Sequence, residues 1–415
     1  MNTDKLNFVV PSKAKLTSYI LMGIGLVSII AMFMVDVAPE GDHHYHHTRA
    51  WANIFAGSFF FTAIALGAAF FLGLQYAAEA GWGTSVKRLI EAVSWYLPWG
   101  CSLLFLFFIL GEFQTHGVYP WMATGVEDIN SPNYDEIIAN KISYFGAGHH
   151  LFWWLRTLLY MGSWIFFTWK LRQNSIEADK LEAGVDGGFH WKNIKLSAWF
   201  MVVFAVTSST STWDWIMSID THWFSTMMGW YVFSGMWVSA MITLVVLVVW
   251  LKRLGYLEFV TESTVHDLGK WMFAISFLWT YLYFSQFMLI WYADIPEEVT
   301  YFNTRWESYK ALMWTVLFVN FAFPMIMLMS RDSKRNFFFL IFVGTIIFIG
   351  HYLDMIMIVM PGTVGHNWTG LSWMELGNFL FFLGLFIHVI LSNLAKRPLL
   401  VKNHPFLNES VHHSF

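Results

Sequence analysis

The sequence of 415 residues contains one cysteine, Cys101. One thiol closes no intramolecular disulfide and holds no iron–sulfur cluster, and no C-x-x-C-H stretch offers attachment for a c-type haem. Charge is equally scarce. Asp, Glu, Lys and Arg make up 13% of the chain, about half the share in a typical soluble domain. The 24 basic and 28 acidic residues leave a formal net charge of −4. No basic stripe is present to neutralise phosphates, so nucleic acid is excluded as a partner. A disordered chain combines low hydrophobicity with high charge. This chain is 57% apolar, with 41 Phe, 24 Trp and 22 Met. So few charges cannot cover that much apolar surface in water, and the composition is that of a multi-spanning membrane protein.

A membrane-spanning helix needs about 20 mostly apolar residues. Ten runs qualify: Leu16–Val35, Ala50–Ala77, Ala92–Leu110, Leu151–Trp169, Leu196–Ile219, Trp223–Leu251, Trp271–Ala293, Ala311–Ser330, Phe337–Met360 and Leu371–Leu394. They are apolar all round and too long for barrel strands, which alternate over roughly ten residues. The expected fold is an all-α integral membrane protein with ten transmembrane helices. The first run follows Lys5, Lys13 and Lys15, as a signal peptide would. It is longer than a signal core and lacks a clear small-x-small cleavage site after it, so it reads as a retained helix.

Basic residues set orientation. With the N-terminus inside, the inner tails and loops hold 19 of the 24 Lys and Arg, and an even number of spans puts both termini inside. The outer loop from Gly111 to His150 is long, aromatic and acidic, with Glu127, Asp128, Asp135 and Glu136. Such a face suits a basic or haem-bearing partner by charge complementarity, and equally a solvated surface. The outer cluster His43-His44-Tyr45-His46-His47 reads as a solvated histidine patch rather than a metal site.

Ionisable groups at membrane depth cost roughly 2.5–3.5 kcal/mol each on insertion scales and therefore point to function. They fall on four spans: Arg156, Asp214, His351 with Asp354, and Glu375 with His388. At about 1.5 Å per residue, Asp214 and Asp354 lie roughly 8–9 Å below the outer ends of their helices. Glu375 and Arg156 occupy similar depths, and Arg156 is a partner for Asp214 on the next helix. His351 and Asp354, three residues apart, share a helix face. Asp214, His351, Asp354 and Glu375 are thus expected to form an outer proton-handling site, with a structural ion-pair network as the alternative. The hydroxyl run Thr207, Ser208, Ser209 and Thr210, continuing to Thr212, suits either a water chain or helix packing. Glu91, His266, Asp267 and His388 are expected to line the inner approach. His351 and His388 lie near opposite helix ends, which argues against a shared haem.

Spans two to five and six to nine show a faint repeat, with Asp214 and Asp354 at matching positions on spans five and nine. Further motifs are longer and more specific. The stretch His266-Asp-Leu-Gly-Lys270 continues through Trp279-Thr-Tyr-Leu-Tyr-Phe-Ser-Gln286 to Ile290-Trp-Tyr-Ala-Asp-Ile-Pro-Glu-Glu298. With Trp213-Asp-Trp-Ile-Met-Ser218 and His222-Trp-Phe-Ser-Thr226, it resembles the membrane subunits of bacterial alternative complex III, in the NrfD/PsrC-like group. The resemblance covers most of the chain from span two to span ten. The short tails make it more similar to the ActF-type than to the ActC-type subunit.

The resemblance implies two four-helix bundles flanked by two helices. Residues 1–15 would be the inner N-terminal tail, and 16–49 the first flanking helix with the His-rich loop. Residues 50–222 and 223–370 would form the two bundles, and 371–415 the last helix and inner tail. It further implies a quinol:cytochrome c oxidoreductase in the bacterial inner membrane, in which this chain carries no redox centre. Haems and iron–sulfur clusters would reside on partners: a multihaem cytochrome, an iron–sulfur subunit, a monohaem cytochrome and the ActC-type sister subunit. Lipids and an adjacent terminal oxidase complete the implied surroundings. Menaquinone or another quinone would be the substrate, with His149, His150, Arg156 and Asp214 as candidate contacts. Asp214 and the His266–Asp267 pair are the positions that match the motifs. Two other classes stay open: a secondary transporter, which needs broken helices at corresponding places in two halves, whereas Pro98 and Pro324 interrupt spans three and eight, which do not correspond under the repeat, and a purely structural membrane anchor.

Overall fold

The computed structural model describes residues 6–36, 47–146 and 150–414, and every regular element among them is helical. The first half contains α1 (Ser12–Val35), α2 (Thr48–Ala77), α3 (Lys87–Ser94), α4 (Leu97–Glu112), α5 (Glu136–Phe145), α6 (Leu151–Asp179) and α7 (Phe189–Trp215). The second contains α8 (Met227–Arg253), α9 (Glu262–Ala293), α10 (Pro296–Ser308), α11 (Lys310–Leu317), α12 (Phe323–Met327), α13 (Phe337–Thr363), α14 (Trp373–Leu394) and α15 (Leu407–Val411).

Among the described residues, nine segments are long and apolar enough to cross a membrane. They are α1, α2, Gly81–Glu112 with α3 and α4, Phe189–Ile219 with α7, α8, α9, Lys310–Met327 with α11 and α12, α13 and α14. The chain is thus a multi-pass, all-α membrane protein. The remaining expected run forms α6, which is 29 residues long. Its hydropathy is diluted by Arg156, by Trp153, Trp154, Trp164 and Trp169, and by the polar turns from Lys170 onward.

Local chemistry sets the helix ends. The side chain of Thr261 accepts from the backbone N–H of Thr264 and starts α9 at Glu262, nine residues before its apolar run. Ser372 and Glu375 form a reciprocal capping box that starts α14. Pro98 sits in the first turn of α4, where its missing N–H costs nothing, and the third run divides there into α3 and α4. The eighth run is also divided: a π-helical turn, Phe318–Ala322, separates α11 from α12.

Helix α2 lies at the centre, against α3, α4, α7, α8, α13 and α14. Small residues permit that density: Gly67 faces the backbone carbonyl of Met236 on α8, where an added Cβ would lie 2.7 Å from the oxygen. Helix α6 packs on α7, α8 on α9, and α13 on α8 and α11. Helix α1 packs along α14. It buries Ser18, Gly25 and Met32, one residue every seven, so a single narrow seam holds it and its other faces are open. The two tails share one face of the protein, where the N–H of Leu399 donates to the carbonyl of Leu6 at 2.8 Å. On the opposite face the long loop before α6 folds over the helix ends. Trp121 stacks on Phe145 at 4.2 Å, and the hydroxyl of Tyr119 donates to the carbonyl of Trp215 at 2.6 Å.

Candidate functional site: two buried aspartates in unlike surroundings

Asp214 lies in the last turn of α7 and is fully buried. Arg156, one helix earlier, meets it in a fork. Nε donates to Oδ2 at 2.8 Å and Nη2 to Oδ1 at 2.9 Å. The hydroxyl of Tyr160 adds a third bond to Oδ2 at 2.8 Å. Arg156 and Tyr160 are four apart on α6, so one helix face delivers both donors. The guanidinium also donates to the carbonyl of Tyr144 and lies 4.0 Å from the centre of its ring. The pairing expected from adjacent helices is present, and it balances the aspartate's charge.

Asp354 is also buried, on α13, but its hydrogen-bond donors are neutral. The hydroxyl of Tyr231 on α8 donates to Oδ1, and the indole N–H of Trp279 on α9 donates to Oδ2 at 3.0 Å. Among the described residues no Lys or Arg forms an ion pair with it. His351, one turn earlier on the same face, is 3% exposed and sits with Nδ1 4.0 Å from Oδ2. Neither ring nitrogen of His351 has a hydrogen-bond partner, and Trp279 meets the ring edge-on at 5.4 Å. Arg305 lies in the neighbouring α10, held over Tyr301 with Nη1 donating to the carbonyl of that residue at 2.8 Å.

Two amides extend this polar interior. Asn320 is fully buried inside the π-helical turn, with both amide atoms unpartnered, and its Oδ1 points at Gly350, the residue before His351. Gln286, seven residues after Trp279 on α9, is buried with Nε2 unpartnered. Buried polar groups without partners are rare and ask for an explanation in bound water, ions or chemistry. A π-turn inside a helix is frequently a mark of function.

The other expected residues are distributed differently. Glu375 completes the α14 capping box and accepts from Arg49, Nε at 3.0 Å and Nη2 at 3.1 Å, and from Asn53 at 3.1 Å. These are structural bonds, and they occupy both carboxylate oxygens. Thr207, Ser209 and Thr210 return their hydroxyls to carbonyls one turn back on α7, while Trp164 donates to Thr207 at 2.9 Å. Ser208 lines a small cavity of about 20 Å³ with Ser211, Thr212 and Thr62, room for about one water molecule. The hydroxyls do not bond to one another in a row.

On the tail-bearing face, Glu91 accepts from Arg88 at 2.5 Å, and Arg88 also pairs with Asp179. Asp267 pairs with Lys270 at 2.5 Å and with His413 at 2.7 Å, next to buried His266. His388 lies on the α1–α14 seam against Tyr19, with ring centres 5.2 Å apart. Glu91, Asp267 and His388 are therefore held by three different sets of partners. At the N-terminal end of α6, His150 lies 3.1 Å from Glu112, which also accepts from Trp154. His149 and the residues His43, His44, Tyr45 and His46 fall outside the described residues.

Sequence reasoning missed Tyr231, Trp279, Gln286, Asn320 and Arg305. The amides carried a signal, being polar groups inside apolar runs, as the hydroxyls of α7 are. Arg305, in the segment between the seventh and eighth runs, is 4% exposed. In comparisons with protein-family models and with curated proteins, the chain matches none.

Proposed function

We propose that this chain is a membrane subunit of a quinol-oxidising respiratory complex of the alternative complex III type, crossing the membrane ten times with α6 as the tenth span. In this reading α2, α3–α4, α6 and α7 form one bundle, α8, α9, α11–α12 and α13 the other, and α1 and α14 flank them. The chain scaffolds the complex in the bacterial inner membrane with both termini inside, and the interior of its second bundle exchanges protons. The sequence resemblance supports the assembly.

The observation that carries the proton site is Asp354: a buried carboxylate bonded by neutral donors, beside an imidazole with two unpartnered nitrogens. Protonating such a carboxylate removes a buried charge and breaks no ion pair with Lys or Arg, whereas protonating Asp214 would strand Arg156. His351 is in reach through one water as the next acceptor. The donors offered for a quinone headgroup at the mouth of α6 fit less well. Arg156 is engaged by Asp214 and His150 faces Glu112, so no quinone step is assigned to them.

A mild-detergent pull-down of the tagged chain, with subunit mass spectrometry and a haem spectrum, tests the assembly. Recovery with multihaem cytochrome and iron–sulfur subunits is expected. Recovery of a lone, colourless protein would refute it. Within the recovered complex, Asp354→Asn is expected to leave assembly intact and lower proton-coupled turnover at least tenfold. Wild-type turnover in that variant would remove Asp354 from the mechanism.

The divided run of α11 and α12 favours one rival, a secondary transporter, because transporter sites are built at helix breaks. The other divided run, α3 and α4, is span three, which does not correspond to span eight under the repeat, so the two breaks are not the matched pair that a transporter site needs.

A further inference from the structure

The tail-bearing face carries a second concave site, remote from Asp354. A cavity of about 470 Å³ opens where the inner ends of α6 and α14 meet the α3–α4 elbow. Arg172 and Lys180 line it from α6, Lys396 and Arg397 from the end of α14, and Trp95 from the elbow. Arg172 is 9% exposed, with its guanidinium 4.5 Å from the ring centre of Trp95 and Nη1 donating to Asn393 Oδ1 at 3.4 Å. Among the described residues no carboxylate forms an ion pair with Arg172, Lys396 or Arg397. The one acidic group in the lining, Glu177, is held by Lys180 at 2.7 Å. The cavity therefore has a net charge of three positive units, on a chain whose total is −4.

We propose that this cavity binds the phosphodiester headgroup of an anionic phospholipid. Two features select a lipid over a free anion. Trp95 and Trp169 in its wall are residues of the membrane–water boundary. From Trp95 a stripe of exposed residues, Trp99, Ser102 and Leu106, climbs one face of α4 at spacings of four, three and four. This is a surface for an acyl chain, continuous with the headgroup site. Basic pockets between helices on the inner side of a membrane suit phosphate headgroups. Arg172 supplies the planar donor and Lys396 and Arg397 the exposed charge.

Native mass spectrometry of the full chain in mild detergent tests this, with phosphatidylglycerol, cardiolipin or phosphatidylcholine added, and inorganic phosphate as competitor. Retention of phosphatidylglycerol or cardiolipin over phosphatidylcholine is expected, undiminished by millimolar phosphate. Arg172→Gln with Arg397→Gln should weaken retention about thirtyfold, at roughly fivefold per charge near the surface. Lys396→Gln, at an exposed position that leaves folding intact, should weaken it about fivefold. Lys195→Gln, on α7 outside the cavity, should leave it unchanged. Equal retention of neutral and anionic lipid, or no loss in Lys396→Gln, would overturn the proposal. Displacement by inorganic phosphate would reassign the site to the free anion and also overturn it.

Discussion

Substituting Asp214 and Arg156 singly and together separates a structural aspartate from a working one. Asp214→Asn removes the charge toward which two N–H groups of Arg156 and the hydroxyl of Tyr160 are directed. Breaking a buried pair costs about 3–5 kcal/mol because the surviving charge is stranded. The Arg156 side chain is 26% exposed, so water recovers part of that, and a loss of about 2–3 kcal/mol is expected. Arg156→Gln strands the fully buried carboxylate instead and should cost about 3–5 kcal/mol. The double variant strands neither charge. Its loss should fall short of the sum by about 2 kcal/mol or more, the signature of direct coupling. Unfolding of the purified chain in detergent, followed by tryptophan fluorescence, measures all three. Losses that add within about 0.5 kcal/mol would refute the pairing as a source of stability and return Asp214 to the list of proton carriers.

Gly350→Ala would drive a Cβ into Asn320 Oδ1 and should destabilise by about 1–3 kcal/mol, with Asn320→Ala restoring most of it, as read by thermal unfolding in detergent. Glu375→Gln leaves Arg49 buried without a countercharge and weakens the cap of α14, a loss of about 3 kcal/mol, measurable by the same unfolding assay. Acid should loosen α5. Burial opposes ionisation of Asp135, yet its bonds from the backbone N–H groups of Ile138 and Ile137 and from His222 hold its carboxyl below the ordinary value of 3.8. The stability it contributes is therefore present above that value and lost as pH falls through the lower, folded one. Amide exchange in Glu136–Phe145 should accelerate below about pH 4, and Asp135→Asn should remove the pH dependence.

The helices were legible because apolar runs of 20 residues admit little else, but their ends were not. Residues 262–270 are polar and still helical, because Thr261 caps them and the tail and Lys270 satisfy Asp267. The pairing of Arg156 with Asp214 could be read from neighbouring helices at matching depth. The donors to Asp354 could not: Tyr231 and Trp279 precede it by 123 and 75 residues, and no periodicity records which helix faces which. The expectation that Glu375 joins Asp354 rested on depth alone. The capping motif Ser372-Trp-Met-Glu375 was present in the sequence and accounts for where its carboxylate goes.

The tail docking has a consequence for biogenesis. Ser410 bonds both the carbonyl of Trp82 and the N–H of Ser85, beside α3, while His413, three residues on, pairs with Asp267 on α9. A short peripheral segment thus clasps parts of the chain that are about 180 residues apart. These residues leave the ribosome after every helix they join, so the clasp cannot form until those helices have been made. A tag placed close behind His413 would act on this closing step, and a lower yield of folded protein from such a fusion would trace to assembly order rather than to the helices themselves.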